Sequence, residues 1–258
     1  MFAAMYWSWF FKYTYTLISA PIWMIQGVCT KRSAIRLSEA QGERKFVVSQ
    51  FHHQDKTAAI EKPIKVAVIG DSVAAGVGIT SIKDALAGQL AAELNSRFDV
   101  AVKLAVLAKS GDKIADLHSA IRNEIAEVAD YVVISIGVND AKGFTSSRKW
   151  SQQLNELMTL IEHKYQPQQT LLLAIPPLEC FPLLKKPLAS ILGFRSSRLN
   201  DATYKLQRLA PERFSIVNYQ LIPDEKYFTA DGFHPNETAS LAIVKTIVNQ
   251  YLINEKVR

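Results

Sequence analysis

From residue 63 onward, short apolar runs alternate with longer stretches in which apolar residues recur every three or four positions. Ile64-Lys65-Val66-Ala67-Val68-Ile69 is a β-branched run that ends at Gly70. Residues 81–95 carry Leu86, Leu90 and Leu94 at helical spacing, and Val102 to Leu107 returns to strand character. Residues 112–128 read as a helix, Tyr131 to Ile136 as a third strand stopped by Gly137, and 149–164 as a helix marked by Leu154, Leu157 and Leu160. Thr170 to Ile175 is a fourth strand closed by Pro176-Pro177. Residues 196–209 are helical, Phe214 to Val217 is a short fifth strand, and 236–253 form a last helix. Continuous apolar strands separated by amphipathic helices predict a parallel sheet covered on both faces. No internal repeat or low-complexity segment interrupts the pattern.

The first 62 residues follow a different rule. Within residues 1–30 the only charge is Lys12, and Trp7, Trp9, Trp23, Tyr6, Tyr13 and Tyr15 crowd the same stretch. Residues 13–29 carry no charge, close to the shortest length that spans a bilayer, and the aromatics suit a membrane–water boundary. A cleaved signal peptide needs a basic start, and the first 11 residues hold no Lys or Arg. Val28 before Cys29 is a poor lipoprotein junction. Residues 1–30 are therefore expected to be a retained membrane anchor, spanning or lying in the interface. Lys31, Arg32, Arg36, Arg44 and Lys45 follow it, which puts the rest of the chain on the cytoplasmic face. The competing reading is an apolar helix packed on the domain, giving a soluble cytoplasmic protein; a periplasmic location is a further alternative. Residues 31–62 read as a polar connector, and its His52-His53 pair lacks the third ligand a metal needs. The domain itself is taken as 63–258.

Composition narrows the partners. At 258 residues, 48% apolar and 21% charged, the chain can build a full core. The net charge of +6 is not gathered into a basic face with interleaved aromatics, so no nucleic-acid partner is expected. Cys29 and Cys180 suggest neither a disulfide framework nor a metal site.

Four segments carry candidate chemistry, each at a strand end or helix entrance, where open parallel sheets bind ligands. Gly70-Asp71-Ser72-Val73-Ala74-Ala75-Gly76 follows the first strand; a serine on that turn exposes its hydroxyl, although a helix N-cap is an ordinary role for it. Asp71 reads as structural. Ser110-Gly111-Asp112 follows the second strand and can aim a backbone N–H inward, or be a simple turn. Gly137-Val138-Asn139-Asp140 follows the third; the Asn139 amide can donate to developing negative charge, or close a turn. Asp231-Gly232-Phe233-His234-Pro235 places an acid three residues before a base, so the carboxylate can hold the imidazole in the tautomer that accepts a serine proton. Position 74 is Ala, so the Gly-x-Ser-x-Gly elbow of α/β-hydrolases is absent.

Taken together these blocks resemble the SGNH subgroup of the GDSL esterases and lipases, with Ser72, Gly111, Asn139 and His234 in the four named positions and Asp231 as the triad acid. The resemblance covers about residues 63–253, with Val73 standing where the family name has Leu. It implies a flavodoxin-like three-layer α/β/α fold with a five-stranded parallel sheet, and hydrolysis of carboxylic esters by Ser72, His234 and Asp231. The oxyanion would be held by Ser72, Gly111 and Asn139. It implies no metal and no organic cofactor. Lysophospholipase, thioesterase or acyltransferase activity on a small-molecule or lipid ester are the nearby alternatives, and a non-catalytic membrane-tethered module the distant one. The loop after Pro177, with Leu178, Phe181, Leu183, Leu184, Ile191, Leu192 and Phe194, reads equally as acyl pocket or core.

Overall fold

The computed structural model describes residues 11–49, 62–220 and 224–252. The helices and strands, in chain order, are α1 (Ala20–Ser33), β1 (Lys45–Val48), β2 (Ile64–Gly70), α2 (Leu86–Phe98), β3 (Val102–Ala108), α3 (Ile114–Asn123), β4 (Tyr131–Ser135), α4 (Val138–Lys142), α5 (Ser147–Tyr165), β5 (Gln169–Leu173), α6 (Leu188–Leu209), β6 (Ser215–Val217) and α7 (Glu237–Tyr251). Residues 11–18 are helical as well.

The strands form one sheet in the order β1-β3-β2-β4-β5-β6. Five of the six run parallel; β1 pairs antiparallel with β3 at one edge. Period two sorts each strand between the two faces. Ile64, Val66, Val68, Tyr131, Val133, Leu171 and Leu173 join the core under α2 and α7. Ala67, Ile69, Val132, Ile134 and Leu172 join the core under α3, α5 and α6. The fold is the expected three-layer α/β/α.

Three expectations need correcting. The connector 31–62 contributes β1, so the sheet has six strands, not five; Ala40 is also buried and Gln41 bridges to Ser81. Only alternate residues of β1 are half-buried, a weak period in a four-residue strand. His52-His53 and residues 1–10 lie outside the described residues. The helix expected over 112–128 ends at Asn123, where Glu124 turns extended and the Lys164 ammonium of α5 caps the carbonyls of Arg122 and Glu124 at 3.1 and 3.0 Å. The helix expected from 196 begins at Leu188, so Ile191, Leu192 and Phe194 lie on α6 rather than in a loop.

Candidate active site

Chain order reverses beside β2: β3 lies on one side and β4 on the other, so the segments leaving β2 and β4 diverge and open a crevice. Register sets Gly70 level with Ala108 and Ser135 on the flanking strands. Ser72, Gly111 and Asn139 follow those positions within a few residues, so all three sit at the same edge of the sheet. Gly70 has φ of 144°, and a Cβ there would collide with the Ser135 carbonyl oxygen, so glycine is needed where β2 turns against β4.

Asp71 anchors that turn. Its N–H donates to the Ser135 carbonyl at 2.8 Å, and its carboxylate accepts from the Ser135 hydroxyl at 3.1 Å and the Val73 N–H at 3.2 Å. Burial pushes the Asp71 carboxyl up to about 6, against the pull of those hydrogen bonds and of His234 and Lys142 nearby. The Tyr219 phenol is pushed up by its own burial, with the Asp71 charge adding to it.

The histidine loop is a tight hairpin. Thr229 N–H donates to the His234 carbonyl at 2.8 Å, and Phe228 bridges to Pro235. Asp231 sits inside it. One carboxylate oxygen accepts from the Phe233 N–H (2.8 Å), the His234 N–H (3.0 Å) and the Thr229 hydroxyl (2.8 Å). The other lies 2.6 Å from His234 Nδ1. Burial alone would raise the Asp231 carboxyl, but the His234 ring and these N–H groups together hold it well below the usual carboxylate range. With Nδ1 engaged by Asp231, Nε2 is the ring nitrogen that remains for another partner.

Asn139 and Asp140, on α4, tie the third block to the second. The Asn139 amide donates to the Asp112 carbonyl at 3.0 Å. Asp140 accepts from the Ile114 N–H and the Thr145 hydroxyl, both at 3.0 Å, fixing the start of α3. The N–H groups of Ser72 and Gly111 have no acceptor among the described residues.

Ser72 and His234 line one depression of about 540 Å³, open to solvent, together with Asp71, Tyr219 and an apolar wall that includes Ile175, Phe181, Phe228 and Phe233. Asp231 stands behind His234. Gly111 and Asn139 are not part of that wall; they lie beside it at the neighbouring strand ends. A depression of similar size, about 550 Å³, lies across β3 between Lys45, Lys65, Lys103 and Glu124, but none of its lining residues is a serine, cysteine, threonine or histidine. Of the two, only the first is lined by both a serine and a histidine.

The family profile of GDSL-like lipases and acylhydrolases matches residues 68–240, about two thirds of the chain. The chain belongs to that family. As a GDSL-family protein it is a hydrolase of the ester-cleaving class. No curated protein matches it. Similar solved structures include TesA, 18% identical with a TM-score of 0.55, covering 72% of this chain and 96% of that one. A lipase/acylhydrolase from Enterococcus faecalis is 19% identical with a TM-score of 0.56, covering 76% and 98%. An acetyl xylan esterase from Geobacillus stearothermophilus is 14% identical with a TM-score of 0.52, covering 74% and 95%. At these identities the likeness establishes the fold.

Several residues of this candidate site carry no signal in the sequence. Ser135 and Thr229 hold the two carboxylates, yet neither sits in a motif; only register and the hairpin reveal them. Phe181 alone of the seven apolar residues expected after Pro177 lines the depression. Leu178, Ile191 and Leu192 are core, Leu183 and Leu184 pack against it, and Phe194 meets Tyr13. Lys142, on α4, lies with its ammonium 4.8 Å from the Phe233 ring centroid.

Proposed function

We propose that this GDSL-family protein is a serine esterase that cleaves acyl esters through an acyl-enzyme. The observation that carries the reading is the shared depression: Ser72 and His234 face one solvent-open space, and Asp231 grips the far nitrogen of the histidine at 2.6 Å. His234 Nε2 takes the Ser72 proton as the hydroxyl oxygen attacks the ester carbonyl. Asp231 fixes the tautomer and stabilises the imidazolium. The N–H groups of Ser72 and Gly111, with the second hydrogen of the Asn139 amide, receive the oxyanion. His234 returns the proton to the leaving alcohol. Water then attacks the acyl-serine with His234 again as base, releasing acid and free enzyme. The aromatic wall of Phe181, Phe228 and Phe233 supports an acyl chain as the part of the substrate held deepest. An alcohol in place of water would make the same site an acyltransferase.

Ser72→Ala tests the assignment. The purified variant should keep its thermal transition and lose both p-nitrophenyl ester turnover and labelling by a fluorophosphonate. Substantial turnover in the folded variant refutes Ser72 as nucleophile. A wild-type panel from acetyl to palmitoyl esters reads chain-length preference, and added alcohol acceptors read transfer against hydrolysis.

A further inference from the structure

The N-terminal helix is built the wrong way round for water. Ser19, Trp23 and Gln26 face the domain. Trp23 stacks on Phe144 with ring centroids 5.4 Å apart, and Ser19 is buried. The Gln26 amide nitrogen donates to the Lys186 carbonyl at 2.9 Å, while its oxygen accepts from the Leu188 N–H at 3.1 Å. Its aliphatic residues point away. Leu17, Ile18, Ile22, Met24, Ile25 and Val28 are each more than half exposed. At 100° per residue they share one side of the helix, within an arc of about 160°. A soluble surface helix carries polar residues there, and a contiguous aliphatic ridge of this length marks an interaction surface.

The surroundings of the ridge choose the occupant. Residues 1–38 contain no Asp or Glu, while Lys31, Arg32 and Arg36 lie at and beyond the C-terminal end of α1. Lys185 and Lys186 are exposed on the domain beside Gln26. A ridge of aliphatic side chains bordered by cations complements a bilayer surface carrying anionic headgroups. A second copy of the chain would bring like charges together along the same border. The helix cannot be surrounded by lipid, because one side is committed to Phe144, Lys186 and Leu188. No helix among the described residues is long and apolar enough to cross a membrane.

We infer that residues 17–28 form an in-plane docking ridge for an anionic lipid surface, which lays the candidate active site against the bilayer. The helix rests on Phe144, just past α4 with Asn139, and on residues 186–188. The preceding Leu183 N–H donates to Gly232 in the histidine loop at 3.0 Å. Docking therefore presents the Ser72–His234 depression near the headgroups, where an acyl ester held in the leaflet can enter. That last step rests on the esterase reading; the docking does not.

Vesicle flotation tests it with the full chain, carried in mild detergent and diluted onto phosphatidylcholine vesicles with or without phosphatidylglycerol. Wild type and Ser72→Ala should float equally, and more strongly with phosphatidylglycerol. The variant Ile18→Ser/Ile22→Ser/Ile25→Ser should lose roughly tenfold or more in binding, with its thermal transition and short soluble-ester hydrolysis unchanged. Lys31→Gln/Arg32→Gln should weaken binding only to the anionic vesicles, and salt should do the same to wild type. Undiminished flotation of the triple variant overturns the proposal. So does wild type that ignores vesicles and sediments as a concentration-dependent dimer, or that resists alkaline carbonate as a spanning protein would. A chain that floats as expected but hydrolyses no ester leaves docking standing and removes the esterase reading.

Discussion

Replacing Asp231 by asparagine separates orientation of the base from support of the loop. Three donors, the N–H groups of Phe233 and His234 and the Thr229 hydroxyl, converge on one oxygen of Asp231. Asparagine keeps an oxygen there and places its NH₂ toward His234 Nδ1, 2.6 Å away. That NH₂ cannot accept a proton from Nδ1, so the ring must present Nδ1 as acceptor and turn an N–H, not a lone pair, toward Ser72. For a base held in the wrong tautomer the expected loss is roughly 10⁴-fold in kcat. That corresponds to about 5 kcal/mol of transition-state stabilisation. Asp231→Ala should be slowed at least as much and should also leave three donors without an acceptor. Each such buried group costs about 1–3 kcal/mol, with the contributions not additive.

The assay is kcat for p-nitrophenyl acetate together with a thermal melt of each variant. Asp231→Asn, which lacks the charge, should melt below wild type at neutral pH, and Asp231→Ala lower still, by about 2–4 °C for each kcal/mol lost. The acid side adds a signed test. Folding holds the Asp231 carboxyl well below its ordinary range, so its contribution is whole above the unfolded pKa of about 4. It is lost as pH falls from there toward the folded value. The stability gap between wild type and Asp231→Asn should therefore close below about pH 4. Asp231→Asn that retains more than roughly a tenth of wild-type kcat would refute the orienting role.

Asn139→Ala should lower kcat roughly 10²–10³-fold with little change in KM, as for one oxyanion donor; a rise in KM at constant kcat would make it a ground-state binding residue instead. Asp71→Asn should stabilise the fold at pH 7. Raising a buried carboxyl from 3.8 to about 6 costs about 3 kcal/mol once it is ionised, and the folded state binds the extra proton only between those values. The advantage, read from denaturant midpoints, should shrink as pH falls from 6 toward 4 and counts against the burial argument if it grows. If the docked domain faces the cytoplasm, protease added outside intact cells should spare it, and cleavage there would reverse the orientation.

Much of the fold was legible because its driving forces are local. The β2, β4 and β5 runs are buried on both faces over residues 66–69, 131–134 and 171–173, so each carries consecutive apolar residues, and the leucines of α2 and α5 recur at helical period. What escaped was decided across the molecule. β1 is four residues long and exists because β3 offers it an antiparallel edge. The end of α3 is capped by a lysine from α5 that lies about 40 residues further along the chain. The start of α6 sits beyond Pro182 and Pro187, which made 178–194 read as loop, although Leu188, Ile191 and Leu192 are core residues.

The site divides along the same line. The candidates Ser72, Asp231 and His234 stand out in the sequence because each is fixed by its immediate neighbours: a strand end, a turn, and a hairpin in which acid and base are three residues apart. Ser135 and Thr229 do not, since a hydroxyl that holds a carboxylate has no sequence signature of its own. Asn139 shows why a motif residue can be found while its setting is missed. Its amide has two hydrogens, and one is already given to the Asp112 carbonyl. That bond spends part of the donor to fix its direction, and it couples α4 to the Gly111 turn. The two parts proposed to hold the oxyanion therefore move together, and any substitution that shifts the 110–112 turn should disturb Asn139 as well. Spacing along the chain could place these groups at neighbouring strand ends. Only the folded register could show that one of them positions the other.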